Sequence, residues 1–468
     1  MRPINKYITF IAITLQTVLL SQNLLNSNAT KKLISENQPL FGNINGKKKF
    51  SLIFSKYFIY NNNLPNFENK NGLYTNKGIS SIKSMLFYYR SNYLDFSFEP
   101  YIITNRSYKT PLPQKTLLFS HLNDVPIEKN NRIKSNVNNT GFKIKYNKIT
   151  LGYGNWSQWW GPGIHNSLVM TNNSNSLPHY YIGTQNYLSI TKNIKLYTKY
   201  TVSKAMLNRF KSKFYLSSYY IKLKYKNIEF GKSKQILSGG YNNIEWNFND
   251  AANVMFTNKN KKYWDYINDY YLMLNNPEVG LRIFLELGFP NSGYNETKSK
   301  YFDRHAMASI LGLRKYGLFG FNELLFGFEY TRLVQSIYYN LIPSPNWYAN
   351  ERYNYSSYFN RRWAAHGGSD SDDLLIYFGY IDKKISLIYG VNYERHGVSF
   401  KFPPEVKFES RIAISYKYNN TFIYINYENE YFQHYGFIDE SKNVWLETFE
   451  NGSIQRTNTI MLVLEKSI

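Results

Sequence analysis

The chain has 468 residues, no cysteine and a formal net charge of +24, and 18% of its residues are aromatic, including 45 tyrosines. The lack of cysteine excludes disulfides, thiolate metal sites and cysteine nucleophiles, which fits an exported protein that is stabilised by other means. The charge would suit nucleic acid, lipopolysaccharide phosphate or an acidic polysaccharide equally well, so it selects none of these partners.

The N-terminal region predicts an export signal. An apolar run over residues 7–20 follows two basic residues and is short for a transmembrane helix, so residues 1–21 are interpreted as a secretory signal peptide. A retained membrane anchor stays open as the alternative. Residues 22–45 are polar and lack periodicity, which predicts a flexible lead-in, and residues 46–468 form the predicted domain.

Three segments share one hairpin pattern, in which an alternating apolar run ends in tyrosine, passes a two-residue turn and resumes its alternation at once. The turns lie at residues 147–148, 226–227 and 419–420. Because a two-residue loop fixes which residues face each other, the pattern predicts the register of the flanking strands. The predicted pairs are Phe142 with Tyr153, Ile144 with Leu151, Lys145 with Thr150, Tyr146 with Ile149, Leu223 with Phe230, Lys224 with Glu229, Tyr225 with Ile228, Arg411 with Glu428, Ala413 with Asn426, Ile414 with Ile425, Ser415 with Tyr424, and Tyr416 with Ile423.

The hairpins predict an all-β fold, a transmembrane antiparallel β-barrel with an even number of strands in the high teens, long extracellular loops and a partly plugged lumen. One face of each hairpin is mostly apolar and the other is mixed polar, as for strands between lipid and a wet lumen. A soluble β-sandwich also alternates, but it seldom places tyrosine beside the tight turn so regularly. Further strands are predicted over residues 93–103, 279–289, 318–333, 374–380, 385–393 and 458–464.

Residues 155–168, with the sequence NWSQWWGPGIHNSL, cannot form a regular helix or strand. Gly161 and Gly163 permit backbone conformations that are closed to other residues, and Pro162 fixes the bend between them. Counting about ten residues from the turn at 147–148 places the tryptophans near the outer mouth of the barrel or folded into it.

The same region offers a candidate polysaccharide-binding surface. Aromatic planes stack on the C–H faces of sugar rings, while amide and imidazole groups form hydrogen bonds with hydroxyls. The alternative is that this segment plugs the lumen and that its tryptophans only pack the barrel, and both interpretations stay open. The candidate residues are Gln158, Trp159, Trp160, Asn172, Asn173 and His179.

A second aromatic segment, residues 342–373, is predicted to be an extracellular loop region. Arginines and indoles together could bind an anionic polysaccharide there. The acidic end, residues 370–373, is expected to cap a turn, and a calcium site on these aspartates is the alternative, although the EF-hand spacing is absent. The candidates in this segment are Trp347, Tyr348, Arg361, Arg362 and Trp363.

The stretch 155–168 resembles the WWGPG signature of the Wzi-like capsule-assembly family, outer-membrane β-barrels that act as lectins for surface polysaccharide. The similarity continues over residues 168–173 and 178–181, and looser similarities cover nearly all of the mature chain. The resemblance implies about 18 strands, an outer-membrane location and a non-enzymatic role in attaching or assembling capsular or extracellular polysaccharide. We expect polysaccharide and outer-membrane lipid or lipopolysaccharide as partners, a monomer, and no cofactor, metal or nucleic acid.

Sequence signatures of enzymes are missing. There is no H-E-x-x-H, no G-x-S-x-G, no phosphate-binding glycine loop and no metal-spaced histidine pair, and the seven histidines are scattered. A porin-like transport channel is the alternative function and requires an open lumen, while a hydrolase with a dispersed serine–histidine pair is a third possibility. Glu286, Glu329 and Arg332 lie in strand-like segments and predict charge networks inside the lumen, because an unpaired buried charge is unfavourable.

Overall fold

The structure is a computed structural model. The predicted signal peptide and lead-in lie outside the residues that it describes. The described residues are 50–104, 133–206, 213–239, 264–276, 278–290, 307–334, 347–348, 350, 353, 356–359, 361–382, 384–398, 404–435 and 454–468.

The fold is a closed antiparallel barrel of 18 strands, as predicted. The first and last strands pair with each other, so hydrogen bonding closes the wall and leaves no free edge. The wall strands are β1 (Phe50–Asn61), β2 (Gly78–Arg90), β3 (Leu94–Thr104), β4 (Ile133–Tyr146), β5 (Ile149–Gly154), β6 (His179–Thr184), β7 (Leu188–Ser189), β8 (Ile194–Met206), β9 (Lys213–Tyr225), β10 (Ile228–Gly239), β11 (Asp265–Asn276), β12 (Leu281–Pro290), β13 (Ala308–Leu318), β14 (Phe321–Arg332), β17 (Ser371–Ile381), β18 (Ile385–His396), β19 (Glu405–Tyr418), β20 (Thr421–Gln433) and β21 (Gln455–Ser467).

Two details complete the strand order. The short β6 and β7 both pair with β8 and together occupy one place in the wall. The remaining strands, β15 (Ser357–Tyr358) and β16 (Arg361–Arg362), form a separate two-stranded ladder.

Every cross-strand pair predicted for the three hairpins is present in the wall. The first residue of each turn, Asn147, Lys226 or Asn419, has a positive φ of 50 to 52°. Such turns match the right-handed twist of the strands that they join. The strand predicted over 318–333 is wrong at its start, because Phe319 and Gly320 adopt positive φ and form the turn between β13 and β14.

The outer face of the barrel is apolar. Ile144, Leu151 and Leu272 point outward and are each more than half exposed, whereas the alternate positions of the strands face the lumen. Tyrosines such as Tyr146 and Tyr418 are exposed beside the short turns, where the aromatic girdle of a membrane barrel lies. The chain is therefore an outer-membrane β-barrel. Among the described residues, no helix is long and apolar enough to cross a bilayer.

Three segments fold into the lumen from the end of the barrel with the long connections, and together we call them the plug. The first plug segment is residues 62–77, the second is residues 155–178, and the third consists of the described residues of 347–370. Side chains of the second and third segments are fully buried against wall residues such as Phe214 and Ile310. The extracellular loop region predicted over 342–373 is therefore wrong for its described part, which packs inside the barrel or, from Ser371 onward, belongs to β17.

Candidate functional site

Two wall carboxylates hold the backbone of the second plug segment. Glu329 of β14 accepts hydrogen bonds from the backbone N–H groups of Ile164, at 2.7 Å, and Asn166, at 2.7 Å. Glu286 of β12 accepts one from the backbone N–H of Leu168, at 2.8 Å. All of these groups are buried, so each hydrogen bond satisfies a backbone N–H that would otherwise lack a partner. The predicted lumen networks of Glu286 and Glu329 therefore serve to anchor the plug, whereas Arg332 is exposed.

The close approach of these carboxylates explains the glycines on either side of Pro162. Gly161 has a φ of +138°, and a Cβ on it would lie 2.5 Å from Oε2 of Glu286. A Cβ on Gly163 would lie 2.2 Å from the backbone oxygen of Asn166 and 3.0 Å from Oε1 of Glu329. Neither position has room for a side chain, so the two glycines allow the bend to seat against the wall.

The candidate polysaccharide-binding residues are all buried in the lumen, none of them more than 9% exposed. They can contact an external polymer only if the plug moves, so a role in polysaccharide binding stays a prediction. The residues concerned are Gln158, Trp159, Trp160, Asn172, Asn173, His179, Trp347, Tyr348, Arg361, Arg362 and Trp363.

Two of the candidate tryptophans pack on aromatic rings of the wall. The ring of Trp160 stacks on Tyr220 of β9, with centroids 5.4 Å apart and an interplanar angle of 9°. Trp363 stacks on Phe214 of the same strand at 5.7 Å and 17°. One face of each indole is thus covered by a wall ring, and both side chains are buried, which favours the packing interpretation of these tryptophans over an exposed sugar-binding surface.

Some candidates from the two aromatic segments do meet each other. The amide of Asn173 accepts a hydrogen bond from Nη2 of Arg361, at 2.7 Å, and donates one to the backbone oxygen of Arg362, at 2.9 Å. Gln158, also in the second plug segment, contacts Trp160 and His179. Its Oε1 accepts a hydrogen bond from the indole N–H of Trp160 at 3.1 Å, and its Nε2 lies 3.2 Å from Nδ1 of His179. These bonds fix the second plug segment to the third segment and to β6.

A buried cluster of charged side chains lies where the plug meets strands β17 to β20. Nε2 of His165, from the second plug segment, and Nε2 of His366, from the third, are each 3.1 Å from Oδ2 of Asp373 in β17. The two imidazole rings meet edge to face, with centroids 4.4 Å apart. Asn166 donates a hydrogen bond to the same Oδ2 at 2.7 Å. We call His165, His366 and Asp373 the triad.

Carboxylates from the first plug segment and the wall surround the triad. Oε2 of Glu68 lies 3.7 Å from Nε2 of His366, and Oε1 of Glu394 lies 3.8 Å from the same atom. His396 bridges Glu394 and Glu405, contacting each at 2.8 Å. Carboxylates of both plug and wall thus converge at one point in the lumen.

Lys407 of β19 connects the first plug segment to this cluster. Its Nζ lies 2.5 Å from Oε1 of Glu68, 3.2 Å from Oε2 of Glu409 and 3.2 Å from Oε1 of Glu430. Arg411 on the same strand pairs with Glu409 and with Glu428. Buried charges of this kind are tolerated only when they are paired, so the plug and the wall depend on each other electrostatically.

Two plug side chains of the cluster, His165 and Glu68, have shifted pKa values. Burial alone would lower the pKa of His165, but the adjacent Asp373, helped by Glu329 and Glu68, raises that pKa to about 9. Burial would raise the pKa of Glu68, but Lys407 and His366 hold it well below the usual value of a glutamate. Without a bound cation, the plug is therefore joined to the wall by ion pairs.

The sequence analysis missed this cluster because its histidines lie in separate segments of the chain. A signal was nevertheless present, since charged residues recur at every second position of β19, at Glu405, Lys407, Glu409 and Arg411. That spacing places all four side chains on one face of the strand. The expected turn cap over 370–373 is wrong at its end, because Asp372 and Asp373 lie in β17, where Asp372 pairs with Arg395 and Asp373 joins the triad.

No protein-family model matches the chain, and no curated protein sequence matches it. Among solved structures it is similar to Wzi of Escherichia coli, an outer-membrane protein involved in group 1 capsule assembly and a carbohydrate-binding β-barrel. The two are 11% identical with a TM-score of 0.57, over 89% of this chain and 84% of that one. Acinetobacter baumannii OccAB3 (10% identity, TM-score 0.48, 90% and 98% covered) and Pseudomonas aeruginosa OpdK (9%, 0.47, 90% and 98%) are also similar. At these identities the likeness to Wzi shows the fold alone.

Proposed function

We propose that the chain belongs to the Wzi-like capsule-assembly family and acts as a non-enzymatic, lectin-like barrel that attaches or organises capsular or extracellular polysaccharide at the cell surface. The resemblance of residues 155–168 to the WWGPG signature supports this proposal. So does the similarity in fold to Wzi, which is a carbohydrate-binding barrel. Its partners would be that polysaccharide and the lipid and lipopolysaccharide around the barrel.

The plugged lumen is the observation that carries the proposal. A transport channel needs a continuous water-filled path, whereas here Trp160, Leu168 and Trp363 are buried in the interior of the barrel. The plug is also fixed to the wall by Glu286 and Glu329, so opening a path would break several buried hydrogen bonds. This arrangement favours a binding protein over a porin.

The lumen wall also carries basic side chains that would attract an acidic polymer. Three half-buried lysines stand over aromatic rings at similar distances from the short turns, and we call them the lysine row. Their ammonium groups would pair with the acidic groups of the polymer. Their nitrogen-to-centroid distances are 4.5 Å for Lys143 over Trp156, 5.6 Å for Lys199 over Trp160, and 4.7 Å for Lys222 over Tyr220.

Affinity in such a protein would come from many weak contacts that repeat along a polymer rather than from one tight site. The proposal is tested by reconstituting the purified protein in planar bilayers and by pull-down of the producer's own surface polysaccharide. We expect no steady conductance together with retention of the polysaccharide. Steady large conductance without retention would replace the proposal with a transport channel.

A matched control shows that a silent bilayer contains inserted protein. In the control variant, residues 155–178 are replaced by a short glycine–serine connection, which removes the second plug segment but keeps β5 and β6 adjacent. This variant should conduct ions, because one of the three plug segments no longer occupies the lumen. A silent control would mean that insertion, or the two plug segments that remain, limits the measurement.

A further inference from the structure

We propose that His165, His366 and Asp373 bind a divalent transition-metal ion of the Zn²⁺ class, with a carboxylate oxygen of Glu68 or Glu394 completing the coordination. The inference concerns how the plug is held, so it does not depend on polysaccharide binding. All five side chains are described and almost completely shielded from solvent.

The spacing of the ligand atoms suits a tetrahedral ion. Ligands that lie about 2.0–2.2 Å from a zinc ion are roughly 3.3 Å from one another. Oδ2 of Asp373 is 3.1 Å from Nε2 of each histidine in the triad. The carboxylate oxygens of Glu68 and Glu394 are 3.7 and 3.8 Å from Nε2 of His366. The ligand atoms of the triad all lie within 4.8 Å of one another, so one ion could reach all three.

The two Nε2 atoms also lack hydrogen bonds. Although Oδ2 of Asp373 is near, neither the Nε2 of His165 nor that of His366 makes a hydrogen bond of acceptable geometry within the described residues. A buried polar atom without a hydrogen bond is unfavourable. An ion between the three side chains would satisfy both nitrogens and the carboxylate, and imidazole with carboxylate is a common donor set for zinc.

The charge of the triad also supports a bound cation. Within the described part of the chain, no lysine or arginine is paired with Asp373, whose ionic contacts are the two histidines. The carboxylate therefore needs either protonated histidines or a bound cation beside it. Lys407 contacts Glu68 through Oε1, which leaves Oε2 of Glu68 directed at His366 and free to serve as the fourth ligand.

The position of the site gives the ion a structural role. Glu68, His165 and His366 come from the first, second and third plug segments respectively, and Asp373 comes from the wall. A single ion at the triad would thus tie the second and third plug segments to β17, and with Glu68 as the fourth ligand it would also tie the first plug segment. Because the site is sealed, the ion would enter while the plug docks, so metal binding would be coupled to the final stage of folding.

The full-length protein, folded into detergent with Zn²⁺ and then passed over a chelating resin, is the sample for the test. Metal content is measured by mass spectrometry, and a parallel sample folded with Co²⁺ is measured by visible absorption. We expect about one ion per folded chain and the intense visible bands of a four-coordinate Co²⁺ site. A folded protein without stoichiometric metal would overturn the proposal and leave the ion-paired triad as the native state.

Three variants separate a site at the triad from adventitious binding. His366→Ala and the nearly isosteric Asp373→Asn should each lower the affinity for the metal. The loss should exceed the roughly 10–100-fold decrease that follows removal of a residue that only hydrogen-bonds to a ligand. His434→Ala, outside the cluster, should bind like the parent. The heat-dependent shift of a folded barrel on electrophoresis reports folding in each case. Retention of the full metal content in both folded triad variants would refute the assignment.

Discussion

Gly163 has no room for a side chain beside Glu329, since a Cβ on it would lie 3.0 Å from Oε1 of Glu329 and 2.2 Å from the backbone oxygen of Asn166. We expect Gly163→Ala to loosen the second plug segment from β14 at a cost of about 1–3 kcal/mol, as overpacking of a tight interior does. Limited proteolysis in detergent should reveal new cleavage within residues 155–178, while the barrel itself remains folded.

Gly390→Ala is the matched control for that substitution. Gly390 lies in β18, and the nearest atoms to an added Cβ are 3.7 Å away, which is ordinary van der Waals contact. The Gly390→Ala variant should resist protease like the parent protein. If both variants were equally resistant, the close approach of Asn166 and Glu329 would not be the reason for glycine at position 163.

Because Trp160 stacks on Tyr220, we expect loss of the indole to lower the stability of the plug strongly. Trp160→Ala should destabilise the plug by roughly 3–5 kcal/mol, because it leaves a cavity between the second plug segment and β9. The measurement is single-channel conductance, in which brief openings should appear that the parent protein lacks. Phe319→Ala, at an exposed turn position, removes an aromatic ring without creating a cavity and should stay silent. A silent Trp160→Ala variant would mean that the indole does not close the lumen.

The barrel could be predicted from the sequence because its information is local. A strand alternates with a period of two, and a two-residue turn then fixes the register, so pairs such as Ile414 with Ile425 follow directly from the spacing. The strand boundaries are less exact, since the predicted strand over 374–380 extends to Ser371–Ile381. The few residues at either end of a strand show little periodicity. Only pairing with the neighbouring strand decides where the strand ends.

The interior could be predicted only in part. The motif around Gly161 predicted a bend. The local sequence, however, does not distinguish a tryptophan that packs in the interior from one that faces a ligand. The approach of His165 to His366 depends on two long connections folding into the same lumen, which is a non-local property that spacing does not encode. The alternation of charge along β19 did contain part of the answer, because a lumen face with both signs of charge indicates buried ion pairs.

The lysine row predicts salt-dependent binding of an acidic polymer. Replacing Lys143, Lys199 and Lys222 together by glutamine should weaken capture of the producer's acidic polysaccharide and flatten its dependence on ionic strength, because fewer ion pairs form. The measurement is retention of the polymer on immobilised protein across a range of salt concentrations.

A second triple variant controls for the change in net charge. Lys148, Lys192 and Lys226 are exposed in the short turns, and their replacement by glutamine removes the same charge without touching the lysine row. Binding should then stay close to that of the parent. An equal loss in both triple variants would show that overall charge, and not this surface, attracts the polymer.

We expect the ion pairs of Lys407 to stabilise the attachment of the first plug segment to the wall. Lys407→Met keeps the length of the side chain but removes the charge, which leaves Glu68, Glu409 and Glu430 buried around an apolar group. Loss of one partner from a buried ionic network typically costs about 3–5 kcal/mol, so unfolding in urea should begin at a lower concentration. Lys466→Met, on an exposed position of β21, is the control and should unfold like the parent. The same midpoint in both variants would show that the cluster contributes little to holding the plug, since the removal of a charge at its centre would then have no measurable effect.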